Sequence, residues 1–221
     1  MKDSRLIKDK AAVEASQSMF QSVSCCFGVP EVLAAYEVKD CRGAPITMRY
    51  LLSNHGSSSA SFGRNSIDKV LHREIIKTKG KDLRETATVQ ILLKGILHAM
   101  LGMYSIFPNG WIHGDVNISS VLLLAQPEMR RIDNLLCLEP ERRQLLGKCI
   151  GRLVDDNQGI KGDTLFDTTK EVSERPGTLP FMSTRLLQAL VLPTRTIFTA
   201  IDDLESFIWG PSSRFASDVG S

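Results

Sequence analysis

The sequence predicts an α+β protein, with a β-rich N-terminal third followed by a mainly helical remainder. Three observations point there. Between residues 32 and 77, short runs of strand formers alternate with turn-rich stretches. From Thr86 to Phe107, apolar residues recur at helical spacing. Two more helical patterns follow late in the chain, separated by Pro193.

Taken in order, Leu6-Ile7 is too short to be a complete edge strand and runs into Lys8. A helix is expected over about Ala11–Val23, with Val13, Met19, Phe20 and Val23 on its apolar side. Gly28-Val29-Pro30 breaks it. Val32–Val38 reads as a strand, Asp40–Pro45 as a turn and Ile46–Leu52 as a second strand. Residues 53–66 are Ser/Gly-rich and read as a loop. Val70–Lys77 returns to strand character before Thr78-Lys79-Gly80-Lys81.

The helix from Thr86 to Phe107 has the clearest signal. Val89, Leu92, Leu93, Ile96, Leu97, Met100, Leu101 and Tyr104 repeat along its length. Pro108-Asn109-Gly110 ends it, and His113-Gly114-Asp115 follows. Val121–Leu124 and Arg152–Val154 read as short strands, with the charged residues 125–151 as an insertion between them. Leu179–Leu192 and Thr199–Trp209 read as helices, and no internal repeat is visible.

Composition narrows the possible functions. With 221 residues, 43% hydrophobic and 24% charged, the chain can bury a sizeable core. A net charge of +2 argues against a dedicated nucleic-acid binder. No apolar run is read as a membrane span, and the N-terminus leads into a charged segment rather than a signal peptide. The five cysteines form no C-x-x-C pair, and an odd count fits reduced thiols. The four histidines have no metal-ligand spacing with any cysteine, which argues against zinc. A soluble intracellular protein, in cytoplasm or nucleus, is expected.

Trp111–Leu124 carries the candidate chemistry. Phosphoryl transfer uses an aspartate on a rigid loop to accept the proton of the attacking hydroxyl. Kinases place it in His-x-Asp-x-x-x-x-Asn, with the Asn on a metal ion. Here His113 and Asp115 fit, whereas Ser120 fills the Asn position. The bland alternative for Asp115 is a turn aspartate bonded to its own backbone. The helix before it and the strand after it favour the base, with His113 holding the loop. Asp155 directly follows an apolar strand, where a metal-binding carboxylate belongs; an ordinary strand-end turn is the alternative. Lys8, ending a short apolar strand, is a candidate phosphate contact with Glu14 as its partner, although most of the 27 Lys and Arg are solvated. No G-x-G-x-x-G occurs.

With these residues in place, the chain resembles the fungal-type protein kinase family from about Leu6 to Trp209. Ile7-Lys8-Asp9 is similar to that family's lysine strand, Phe27–Leu33 with Tyr36–Val38 to its next strand, and Lys77–Leu83 to its hinge. Gly151–Asp155 resembles the metal-aspartate strand. The most specific blocks are Gly177–Ser183 and Asp202–Phe207, in this order after the catalytic loop. The resemblance implies a two-lobed protein kinase-like fold: an incomplete β-rich N-lobe over residues 1–78 and a truncated, mainly helical C-lobe over 79–221. It implies ATP and Mg²⁺ as cofactors and protein Ser/Thr hydroxyls as acceptors. Asp115 would be the base, Asp155 and Ser120 would stand at the metal, Lys8 and Glu14 at the nucleotide, and Asp203 would anchor the loop backbone.

Four departures accompany the resemblance. Gly114 replaces the loop arginine, Ser120 the metal-binding Asn, and Arg185 the glutamate that ends the activation segment; the glycine loop is missing. A catalytically dead pseudokinase that binds a partner protein is therefore the alternative from another class. Gly114 also suggests a small-molecule phosphotransferase of the aminoglycoside or choline kinase type, against which the Gly177–Ser183 block argues. A truncated lobe is expected to leave Leu204, Phe207, Ile208 and Trp209 uncovered.

Overall fold

The computed structural model describes residues 2–6, 19–47, 50, 70–77, 79–132, 135, 138–155, 159–161, 177–192 and 197–218. They combine helices with small antiparallel sheets in an α+β arrangement.

The first sheet has the order β1 (Lys2–Leu6), β3 (Val70–Ile76), β2 (Val32–Glu37). Strand β1 pairs along its whole length, from Lys2 opposite Glu74 to Leu6 opposite Val70. The edge strand is therefore complete, unlike the two-residue segment expected there. Its polar residues, Lys2-Asp3-Ser4-Arg5, hide it from a hydrophobicity reading, and charges on an edge strand also discourage pairing with other chains. After β2, the Asp40 carboxylate accepts from the Arg42 and Ala44 amides, each at 2.9 Å, and closes the expected turn. Of the strand expected over Ile46–Leu52, Thr47 makes one bridge, to Val70; residues 48, 49, 51 and 52 and the 53–66 loop lie outside the described residues.

The second sheet has the order β4 (Gly80–Asp82), β6 (Val121–Glu128), β7 (Cys149–Leu153). Strands β6 and β7 are both longer than expected, and they take Ala125–Glu128 and Cys149–Gly151 out of the supposed insertion. Ala125, Gln126 and Pro127 show no alternation and are all exposed, and the ladder shifts register between Leu123 and Glu128. A proline that cannot donate to the ladder accounts for the lost pattern. Helix α2 (Pro140–Leu145) lies between these strands, and β5 (Trp111–Ile112) pairs separately with β8 (Ile160–Lys161).

Helix α1 (Val89–Ile106) runs through the core, with Thr88 as its N-cap accepting from Ile91 N–H. Leu92, Ile96, Ala99, Met103 and Ile106 are buried with Val121, Leu123, Leu153 and Phe207. Val89, Leu93 and Leu97, which the spacing assigns to the same apolar side, are about half exposed. The reason lies in the glycines. A Cβ on Gly151 would stand 2.1 Å from the Gly95 carbonyl oxygen, and one on Gly102 would stand 2.2 Å from that of Gly28. Backbone meets backbone there, so the buried side of α1 is set by its small residues as well as its large ones. By length and composition Val89–Asn109 could cross a membrane, a possibility the sequence reading did not expect. In this fold the same segment packs as the core helix.

Met19, Phe20 and Val23, around a helical turn at 19–22, join the same core; the rest of the helix expected over 11–23 lies outside the described residues. The helix expected over Leu179–Leu192 is split. A 3₁₀ turn at Leu179–Phe181, with Pro180 near its start, precedes α3 (Thr184–Val191). The last helix, α4, spans Ala200–Asp218, longer than the expected Thr199–Trp209.

Candidate active site

The loop from His113 to Ser120 joins β5 to β6, and a residue from the far end of the chain holds it. Asp203, in the first turn of α4, is buried and accepts from His113 N–H at 2.9 Å and from Gly114 N–H at 3.1 Å. Burial pushes this carboxyl up to about 7, against the pull of those two amides, and the charges of Asp202 and Asp115 add to the rise. His113 is also fully buried. Its Nε2 lies 3.1 Å from the Val154 carbonyl, and its Nδ1 is 3.4 Å from the Asp115 amide. These partners fit the neutral ring with its proton on Nε2. Gly114 has a φ of 80°, where a side chain would be strained, which gives the glycine in place of arginine a backbone reason.

These contacts leave the Asp115 side chain part-exposed at the mouth of the loop. Its Oδ1 accepts from the Thr178 hydroxyl at 2.8 Å. Thr178 lies in the Gly177–Ser183 block, but no role for it was readable, because its partner is 63 residues away. The segment around it is seated by Met182, Leu186 and Phe198, which share a buried cluster with Ile112 of β5.

Ser120 is fully buried. Its hydroxyl donates to the Asp115 carbonyl at 2.9 Å and accepts from the Asn117 amide at 3.3 Å. With Asn117 Oδ1 accepting from Ser119 N–H at 2.8 Å, this makes a capping box on the short 3₁₀ turn at Ile118–Ser120. Asp155 follows β7 with a φ of 79°, two residues after Leu153, whose N–H bonds to Gly28. Val154 between them lies outside the strand, contrary to the strand expected over Arg152–Val154. It donates to the Ser120 carbonyl at 2.7 Å and receives His113, which ties the Asp155 segment to the loop. Lys8 and Glu14 lie outside the described residues. Among the described residues the fit to Mg²⁺ is therefore incomplete: Asp155 is placed beside the loop, whereas the Ser120 hydroxyl is committed to the loop itself.

Asp202, next to Asp203, grips the segment that follows Thr178. It accepts from Ser183 Oγ at 2.5 Å and from Thr199 N–H at 2.7 Å, and it pairs with Arg185. Burial alone would raise its pKa, but the bonds from Ser183, Arg185 and Thr199 outweigh it and hold the carboxyl below its ordinary value. Arg185, at the place of a glutamate, thus has its counter-charge at the start of α4.

A family model described as "Fungal protein kinase" matches residues 2–210. No curated protein matches the chain.

Proposed function

The chain belongs to the fungal protein kinase family, and from that premise we propose that it transfers the γ-phosphoryl group of ATP to Ser/Thr hydroxyls of a protein. The proposed architecture is two lobes, residues 1–78 and 79–221. In support, among the described residues the β1–β3–β2 sheet draws only on residues 2–76, and the other two sheets only on residues 80–161.

One observation carries the reading above the others. The Asp115 carboxylate is hydrogen-bonded by Thr178 on a loop whose backbone hangs from Asp203. A carboxylate so held can accept the proton of an incoming hydroxyl and aim its oxygen without first ordering the loop. Val116, the next residue, is buried in the main core and anchors the loop there. In kinases, metal-bound ATP supplies the phosphoryl group with its charge partly neutralised.

A positioned base typically contributes ~10²–10⁴-fold, so Asp115→Ala should abolish transfer from radiolabelled ATP to a protein acceptor. Wild-type activity in that variant would refute the assignment. The second reading, a pseudokinase that binds a partner protein, is favoured by the buried, committed Ser120 hydroxyl. Thermal unfolding with Mg·ATP separates the two, because a ligand at 100 times its Kd adds about 2.7 kcal/mol of stability. Absence of any shift at millimolar nucleotide would favour the pseudokinase.

A further inference from the structure

The loop that presents Asp115 uses its own polar side chains to hold itself in place. Ser120 stands where a kinase loop offers its second metal ligand. Its hydroxyl proton goes to the Asp115 carbonyl at 2.9 Å, one lone pair takes the Asn117 amide at 3.3 Å, and the residue has no exposed surface. Asn117 also braces the loop. Its Oδ1 takes Ser119 N–H at 2.8 Å, and its Nδ2 donates to the same Asp115 carbonyl at 3.1 Å. To reach a metal, Ser120 would have to leave the core, break both loop bonds and release the peptide that carries Asp115.

We infer that Ser120 is withdrawn from metal binding, so that this site holds at most one divalent cation. The inference rests on the phosphotransfer reading only in taking Asp155 as that cation's ligand. A kinase loop that keeps its Asn holds a second ion there. Here the same position is spent on fixing the base.

Equilibrium dialysis of the full chain against Mn²⁺ and a non-hydrolysable ATP analogue, counting metal and nucleotide retained with the protein, tests this directly. The expected result is one metal per bound nucleotide, weakened at least about tenfold by Asp155→Asn and unchanged by Ser120→Ala. Two metals per nucleotide would overturn the inference, and the wild-type ratio decides this even if Ser120→Ala fails to fold. A loss of metal in folded Ser120→Ala equal to that in Asp155→Asn would also overturn it. Retention of neither metal nor nucleotide agrees with the withdrawal of Ser120, and sinks the phosphotransfer reading instead.

Discussion

His98 and Asp203 respond to pH in opposite directions. His98, buried against Phe27, accepts from Ile150 N–H at 2.9 Å, and burial, aided by Lys94, brings it down to about 4. Its neutral form is favoured by folding, so its stabilisation is present above pH ~6.5 and is lost as pH falls toward 4. Asp203 is raised to about 7 by burial, so its contribution is present below pH ~4 and is lost as pH rises through 7. At 1.36 kcal/mol per unit, each is worth on the order of 3 kcal/mol, and the two nearly cancel in the wild type between pH 4 and 6.5. Urea unfolding across that range should show stability falling with pH in His98→Phe and rising with pH in Asp203→Asn. Parallel profiles for the two variants would sink this account. Thr178 allows a separate test. A hydrogen bond to a charged group is worth about 1.5–3 kcal/mol, so Thr178→Val should lower phosphoryl transfer about 10–100-fold while Thr178→Ser retains most of it. Equal turnover in both variants would remove Thr178 from the site.

The packing of α1 against β7 depends on glycines that admit no side chain. Gly151→Ala would drive a methyl into the Gly95 backbone, and Gly102→Ala into that of Gly28. Overpacking typically costs 1–3 kcal/mol, and neither backbone can swing aside as a side chain would. Both variants should unfold at clearly lower urea concentration than Gly43→Ala. Gly43 has a φ of 80° with open space around it, so its variant carries only backbone strain. Equal midpoints would show that the helix shifts to make room. These contacts also mark where the sequence stopped being informative. The 3.6-residue period located α1, and the His-Gly-Asp turn located the loop, because both signals are local. Which side of α1 is buried depends on glycine pairs contributed by residues far apart in the chain. The extension of β6 was hidden by Pro127. The Thr178 and Ser120 bonds depend on partners that no spacing rule supplies, so Ser120 could be read only by its alignment with an asparagine.

At the scale of the whole molecule, the described residues of α3 and α4 expose several large apolar side chains. Val191, Leu192, Ile201 and Ile208 are all more than half exposed, with Leu204 and Trp209 nearer a third. Phe207, expected to be uncovered with them, is instead buried in the main core, because its position on α4 faces α1. Exposed apolar patches of this kind promote association. Sedimentation velocity at micromolar concentration should show the wild type self-associating and the Ile201→Glu/Ile208→Glu double variant shifted toward monomer. A monodisperse monomeric wild type would contradict this. The Asp203 grip has a further consequence, in the order of assembly. It joins residues 90 apart in the chain, so the loop cannot take its final shape until α4 has docked, and closing so long a segment is entropically costly before its contacts reward it. The His113 and Gly114 amide protons should therefore exchange with solvent only when α4 opens. Their exchange rates would report, at the start of the His113–Ser120 loop, whether the helix at the other end of the sequence is in place.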